Sequence, residues 1–527
     1  MLARVRTLFS KEIRGLHQAA YLVGGATLVS QILALFRERL FAMTFGAGPE
    51  LDVYYAAFRI PDLVFATIAS FVSVNVLIPA LAGELQPETG LSNTARSFMN
   101  SVISVFCGVM VLVCGVLFVE MPRIAPFLAP GFDVTMMQQL VTLSRILLLS
   151  PFFLGLSNIA GATTQTLRRY VVYSLSPVVY NVGIIGGILF LYPWLGLPGL
   201  AWGVICGAVF HYAIQIPVLR AARMMPSFRE RIRWNDVWRV ARSSLPRTLA
   251  LACGQITFFV LFAIASELGR GAISVFSFAY NLQSVPLAII GVSYSVVAFP
   301  VLSEYFARGQ HAEFSREISR AARHIIFWSL PIAALCIALR QEIVAVLLGT
   351  GKFTIANASL VSLSFAFFVV SLTGQALTLL FVRGYYAAKK TARPLLINVG
   401  ASLVTIACAY MLTKNSGGMC DLSAWCHNGI LLLPIAFSAG WFLNAGVLWL
   451  MFRYDFSVHG SGISGSVARA LFASCAAYVA AICVISLVDS NPLIRGGSAG
   501  VVGIVVACGA YWITRSPELR EITSRIR

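Results

Sequence analysis

Apolar residues run along this chain in long blocks, not in the alternating or every-third-residue patterns of half-buried elements. The blocks fall near 17–43, 52–83, 97–119, 135–159, 172–192, 197–219, 240–265, 272–303, 321–339, 355–382, 394–413, 428–452, 466–488 and 496–514. A helix rises about 1.5 Å per residue, so about 20 apolar residues cross a hydrocarbon core about 30 Å thick. The pattern predicts an all-α polytopic membrane protein with fourteen transmembrane helices. A β-barrel would alternate apolar and polar residues in segments of about ten, and this sequence does not.

The polar punctuation between blocks is uneven. Loop 219–247 carries Arg220, Arg223, Arg229, Arg231, Arg233, Arg239, Arg242 and Arg247. Arg308, Arg316, Arg320 and Arg323 lie in 304–324; Arg383, Lys389, Lys390 and Arg393 lie in 383–393; Arg168 and Arg169 stand near 165. The intervening loops, near 46, 125, 195, 268, 345, 420 and 490, are poor in basic residues. Lysine and arginine accumulate in cytoplasmic loops. Both termini are therefore expected in the cytoplasm.

Composition sharpens this. Of 527 residues, 58% are hydrophobic and 11% charged, with mean hydropathy +0.82, whereas a soluble chain carries about 25% charged residues. The net charge of +18 would suggest nucleic acid on a soluble protein. Here the basic residues sit in short loops, so topology and anionic membrane lipids account for them and no nucleic acid is expected.

The two halves echo each other. "SPVVYNVGII" (176–185) resembles "RPLLINVGAS" (393–402), sharing Pro177/Pro394, Asn181/Asn398 and Gly183/Gly400. "SQILALFRERLFAMTFGAG" (30–48) aligns with "GQITFFVLFAIASELGRG" (254–271), and "IPALAGE" (78–84) with "FPVLSEY" (299–305). The shared order, offset by about 217–224 positions, spans six helices, so both copies take the same orientation. The expected organisation is two pseudo-symmetric six-helix lobes plus two C-terminal helices. The first lobe is 1–220, a basic cytoplasmic linker 221–239, the second lobe 240–453, and the last two spans with a basic tail 454–527.

Ionisable residues at bilayer depth cost about 2.5–3.5 kcal/mol on insertion scales and usually face a bundle interior. Asp52, Arg59 and Asp62 follow i, i+7, i+10 and share one face of span 2. Arg37 and Glu38 stand in span 1, with Gln31 two turns from Glu38. Two readings stand. Arg37–Glu38 and Arg59–Asp62 are ion pairs holding helices together, with arginines snorkelling to headgroups; or Gln31, Arg37, Glu38, Arg59 and Asp62 line a hydrated cavity. "SVFSFAYNLQSVP" (274–286) adds Ser274, Ser277, Asn281, Gln283 and Ser284. Those groups suit sugar or peptide hydrogen bonds and equally helix–helix contacts. Arg145, His211, Asn158 and Gln375 read as packing residues.

Of the eleven cysteines, Cys420 and Cys426 alone lie in a polar loop, "KNSGGMCDLSAWCHNG" (414–429). A disulfide between them is expected if that loop faces an oxidising side, while one nearby His427 makes a poor metal site. The basic, then apolar, N-terminus reads as a retained first helix, not a signal peptide. The sequence holds no HExxH, Walker A or GxSxG motif, so no enzyme activity, cofactor or metal is expected.

Four segments together resemble the MurJ/MviN lipid II flippase family of the multidrug/oligosaccharidyl-lipid/polysaccharide exporter superfamily. They are "FRERLFAMTFGAGPELDVYYAAFRIPDL" (36–63), "FPVLSEYFARGQ" (299–310), "GTGKFT" (349–354) and "VRGYYAAKKTARP" (382–394). The resemblance implies fourteen helices, two lobes around a cationic cavity, and a final helix pair grooved for a polyprenyl tail. It implies that Arg37 holds the lipid diphosphate beside Glu38. Asp52 and Arg59 then match the family's acidic and basic motif positions, and Ala42 and Ser274 sit on the cavity side. It further implies lipid II, or a related polyprenyl-diphosphate glycolipid, as the substrate carried outward by alternating access, with cell-wall synthesis proteins as partners. The membrane potential or a coupling ion would drive the step, and the oligomeric state stays open. The chain departs from the family pattern where Gln31, Phe65, Ala66 and Asn281 replace arginines. Those departures keep open another polyprenyl-linked glycan, or a scaffold in envelope synthesis that transports nothing.

Overall fold

Capping side chains mark where several helices begin. Ser92 Oγ accepts from Ala95 N–H at 3.1 Å, Asp133 Oδ1 from Met136 N–H at 2.9 Å, and Asn491 Oδ1 from Ile494 N–H at 2.9 Å. Each satisfies a first-turn amide that has no partner inside its helix. The structure, a computed structural model, describes residues 16–69, 71–72, 77–78, 81, 85–86, 90–228, 230–414, 429–456 and 462–526. Residues 1–15, and the loop holding Cys420 and Cys426, lie outside the described residues.

The helices are α1 (Leu16–Phe45), α2 (49–69), α3 (Asn93–Leu128), α4 (Val134–Thr166), α5 (Tyr170–Leu195), α6 (Leu197–Ala221) and α7 (Trp234–Glu267). Then follow α8 (Ala272–Ala307), α9 (His311–Ala338), a short helix over Arg340–Leu348, α10 (355–387), α11 (Ala392–Lys414), α12 (Gly429–Phe456), α13 (Ile463–Leu487), α14 (Pro492–Ile513) and a tail helix, α15 (Pro517–Ile526). Among the described residues, eleven helices are long and apolar enough to cross a membrane, twelve with α10, which bends by 40°. With α1 and α2 in the two remaining apolar blocks, this is compatible with fourteen spans. A two-residue β-ribbon, Leu85–Gln86 with Gly90–Leu91, interrupts the helices. Large apolar side chains such as Val111, Leu112, Phe190 and Val297 are more than 60% exposed, as hydrocarbon contact demands and water would not tolerate over so much surface.

Two units divide at Arg270/Gly271, with Ala42–Ala47, the end of α1 and the two residues after it, counting with the second. In the first unit, Met99, Ile103 and Phe106 of α3 pack with Ile159 of α4, Leu219 of α6 and Val240 of α7. Helix α7, which the repeat assigns to the second lobe, thus packs within the first unit. Helices α5 and α6 meet along glycines: a Cβ on Gly183 would lie 2.3 Å from Gly207 Cα, and one on Gly203 2.4 Å from Gly187 Cα. Lipid offers no hydrophobic drive for helix pairing, so close backbone approach supplies it. The repeat partner Gly400 has open space around it.

In the second unit, Phe314, Phe381, Tyr385 and Phe452 form the core of α9, α10 and α12. Alanines 470, 473, 477, 481 and 499 let α13 and α14 lie close against α9.

Four helices end in a common way. Arg168, Arg223, Lys389 and Arg515 adopt φ between +51° and +59°. The next residue's N–H reaches back to the last turn, as in Arg169 to Thr164 O at 2.8 Å and Lys390 to Tyr385 O at 2.9 Å. This is the Schellman closure, with a basic residue where glycine usually stands. The cation's attraction to the helix C-terminus offsets part of the left-handed cost. Single π turns widen α2 at Phe65–Ala69, α5 at Gly187–Leu191 and α8 at Ala288–Val292.

Candidate functional site

Helix α1 places Arg37 and Glu38 side by side, and α2 and α5 supply the groups that fix them. Arg37 Nη2 and Nε donate to Glu38 Oε1 at 2.7 and 3.3 Å, and Arg37 Nη1 donates to Asn181 Oδ1 of α5 at 3.1 Å. Tyr55 of α2 donates its hydroxyl to Glu38 Oε2 at 2.7 Å. Asn181 Nδ2 in turn donates to Ser30 Oγ at 3.2 Å and Pro177 O at 3.1 Å. The Glu38 side chain is 3% exposed and that of Arg37 21%. A buried carboxylate survives only with such charge-assisted partners. A guanidinium carries five N–H donors; three are spent here, and the remainder sit on a side chain locked in place yet partly open.

One helical face further, Arg59 Nη2 meets Asp62 Oδ2 at 3.2 Å. The Arg59 guanidinium stacks over Phe262 at 4.3 Å and reaches toward Phe258 at 5.9 Å, both on α7. These two rings, at i and i+4, give the Arg59 guanidinium a cation–π surface on α7. Tyr54 and Tyr180 stand within electrostatic reach of both Arg37 and Asp62. Beside them the Phe41 ring lies tilted against Tyr54 at 4.9 Å, and Phe58 meets Tyr54 edge to face at 5.0 Å. Arg37, Glu38, Arg59 and Asp62 sum to zero formal charge.

The other candidates are placed differently. Gln31 is half-buried on α1, and its neighbour Ser30 makes the bond to Asn181. Asp52 is 1% exposed at the start of α2. Ser274 is fully buried in α8 of the second unit, and Asn281 there accepts Ser284 Oγ on its carbonyl at 2.7 Å. Phe65 and Ala66 open the π turn of α2. Among the described residues no group of three potential metal-ligating side chains converges.

Sequence reading missed Tyr55, Phe258 and Phe262 as site residues, and it knew Asn181 only as a repeat match. His211, Gln375 and Arg145 do join polar contacts within their units. Ser157 Oγ lies 2.6 Å from His211 Nδ1, Gln375 Nε2 donates to Gln283 Oε1 at 3.2 Å, and Arg145 Nε donates to Phe118 O at 2.8 Å.

Two of the remaining signature segments form clasps. In the second unit, Lys352 N–H donates to Met43 O at 3.0 Å, joining "FGAG" to "GTGKFT". Gly46 and Gly351 both take positive φ (+64° and +63°), and a Cβ on either would strike backbone oxygen at 2.7 or 2.3 Å. In "VRGYYAAKKTARP", Tyr385 donates to Asp455 Oδ2 at 3.0 Å, Arg393 pairs with the same carboxylate, and Lys390 caps the Phe456 ring.

Comparison with known proteins gives the same direction. The sequence model of the family described as lipid II flippase MurJ matches residues 41–495. The lipid II flippase MurJ of Burkholderia cenocepacia is 28% identical over 446 residues, 83% of this chain and 84% of that protein. A probable lipid II flippase MurJ of Rhizobium tropici is 27% identical over 507 residues, 93% of this chain and 92% of that protein. A solved lipid II flippase MurJ in an inward closed conformation superposes with TM-score 0.76 at 19% identity, over 95% of this chain and 99% of that one. An inward-facing MATE family multidrug transporter follows at TM-score 0.65 and 15% identity, over 81% and 94%. The structural likenesses speak to fold alone. With 455 consecutive positions matched by the family model, this multi-pass membrane protein belongs to the lipid II flippase MurJ family.

Proposed function

We propose that this chain carries lipid II, the lipid-linked peptidoglycan precursor, from the inner to the outer leaflet of the bacterial cytoplasmic membrane by alternating access. It is a transporter and performs no covalent chemistry. The observation that carries the reading is Arg37. Glu38 and Asn181 hold its guanidinium in one pose while donors remain for a diphosphate, in a chain of this family. Arg59, Asp62, Gln31, Asp52, Ser274 and Asn281 are proposed to complete the contact surface for the headgroup.

The proposed orientation has both termini in the cytoplasm, following the basic loops. The proposed lobes are the duplicated segments 1–220 and 240–453, joined by 221–239 and followed by 454–527. Anionic membrane lipids and cell-wall synthesis proteins are the further proposed partners. Each charge moved outward from a negative interior gains about 2.3 kcal/mol per 100 mV. Arg37, Glu38, Arg59 and Asp62 cancel, so a diphosphate gains roughly twice that, less the charge that Asp52 carries back.

The same cancellation favours a second reading, a carrier of another polyprenyl-diphosphate glycan with fewer charges to hold. The test is lipid II translocation in cells depleted of their own flippase, scored by an externally added toxin that cleaves exposed lipid II. Translocation lost in Arg37→Ala supports the reading. No translocation by inserted, folded protein refutes it in favour of the other glycan or of a scaffold.

A further inference from the structure

Tail helix α15 is held by two carboxylates of different standing. Glu518 is 2% exposed and accepts from Ser466 Oγ at 2.6 Å and Ser516 Oγ at 2.7 Å, deep against α13. Glu521, one turn on, instead lies across a notch between α8 and α9. A single oxygen, Oε2, accepts from Arg320 Nε at 2.9 Å and meets His324 Nε2 at 3.0 Å. Beside the carboxylate a cavity of about 250 Å³ remains, walled by Tyr294, Val297, Glu317, Arg320 and His324.

We propose that this notch is a binding site for the phosphodiester headgroup of a membrane lipid, and that Glu521 occupies it as an exchangeable stand-in. Four features carry this. Two donors converge on one point, the geometry an anionic oxygen requires, and buried His324 Nδ1 has no partner. The floor is interfacial in chemistry: the Tyr294 ring lies parallel to His324 at 6.1 Å, and its hydroxyl accepts from Trp328 Nε1 at 3.1 Å. Tyrosine and tryptophan gather at the level of lipid headgroups. Val297, 72% exposed on the adjoining face of α8, leads from the notch onto hydrocarbon-facing surface, where acyl chains would lie. Finally, the Glu317 carboxylate on the rim disfavours a doubly charged free phosphate and tolerates a singly charged diester. With Glu518 anchored separately, α15 stays docked when Glu521 yields.

The inference sharpens the reading of anionic lipids as partners and rests on it. The test uses the full chain in detergent, titrated with dihexanoyl phosphatidylglycerol, with inorganic phosphate and with uncharged dihexanoylglycerol. Lipid adducts are counted by native mass spectrometry. Glu521→Gln should bind the phosphatidylglycerol roughly 1.5- to fivefold tighter than the unaltered protein, the range for removing one competing charged contact at a half-exposed site. Arg320→Gln in the same background should erase that gain, as should His324→Ala, which serves as a second variant if the first fails to fold. Dihexanoylglycerol should not discriminate between variants. Equal phosphatidylglycerol affinity in all variants overturns the site while leaving anionic lipids as partners elsewhere. No binding by any variant overturns both. Inorganic phosphate gaining as much as the lipid overturns the lipid as its occupant.

Discussion

Removing Arg37 and Glu38 singly and together separates what the pair does for the fold from what it does for transport. Arg37→Ala leaves Glu38, with its side chain 3% exposed, holding a buried charge with only the Tyr55 hydroxyl, at a cost of about 3–5 kcal/mol. Glu38→Ala costs less, about 1–3 kcal/mol, because Arg37 is partly open to solvent and keeps its bond to Asn181. The double variant removes both charges and strands only neutral groups, so it should be at least about 2 kcal/mol more stable than the sum of the two losses implies. Unfolding free energies from denaturant titration in mixed micelles measure the cycle, and the depletion assay measures transport. The double variant should be folded and inactive. Losses that add within about 0.5 kcal/mol would refute the pairing argument, and a folded double variant that still translocates lipid II would refute the assignment of Arg37 to the substrate.

Four further expectations follow from the packing and the termini. Gly203→Ala should destabilise by about 1–3 kcal/mol, since its Cβ meets backbone that cannot rotate away, whereas Gly254→Ala, with open space around it, should be neutral or gain about 0.5–1 kcal/mol; thermal midpoints in detergent decide. Gly46→Ala and Gly351→Ala should each lower that midpoint and leave the 350–353 loop protease-sensitive, because both need positive φ and a missing Cβ. Arg168→Gly should raise stability by about 1 kcal/mol by relieving the left-handed backbone. Burial alone would raise the Glu518 carboxyl, but bonds from Ser466 and Ser516 outweigh it and hold it below its ordinary 4.5; Glu521 is likewise held low by His324 and Arg320. A depressed carboxyl stabilises the fold above its unfolded value and loses that contribution as pH falls through the folded one. Exchange protection of 517–526, corrected for intrinsic rates, should therefore hold from pH 8 down to about 5 and fall below about 4.5; protection that fell on raising pH would contradict the sign.

Much of the architecture was legible because a bilayer leaves few options. Apolar blocks of the right length must be helices, and the observed bounds of α3 to α14 fall close to the blocks read from the sequence. The Arg37–Glu38 and Arg59–Asp62 pairs were legible as well, since adjacent or i, i+3 charges in an apolar run have few other partners. Their supports were not. Tyr55 and Asn181 look like ordinary helix residues until the fold brings three helices together. Phe258 and Phe262 were hidden by the repeat, which assigns α7 to the other lobe, because a sequence duplication does not dictate which neighbours a helix packs against. Asn181 and Asn398 illustrate the point. They match in the repeat, yet one braces an arginine, while the other accepts a bond from Asn444 Nδ2 at 2.9 Å.

The π turns of α2 and α8 bear on the history of the chain. Ala288 follows Phe65 by 223 positions (288 less 65), inside the spacing that relates the two halves. A π turn accommodates one extra residue in a helix at the expense of regular backbone bonding, and is rare among helices. Its appearance at matched places in both copies is simplest if a single ancestral half already carried the inserted residue and passed it on when the gene doubled. The π turn of α5, at Gly187–Leu191, has no counterpart in α11, which is regular α-helix from Ala392 to Lys414, so that widening belongs to one copy alone. The widened turn of α2 and α8 is thus common to both halves of the chain, while that of α5 marks a place where they differ.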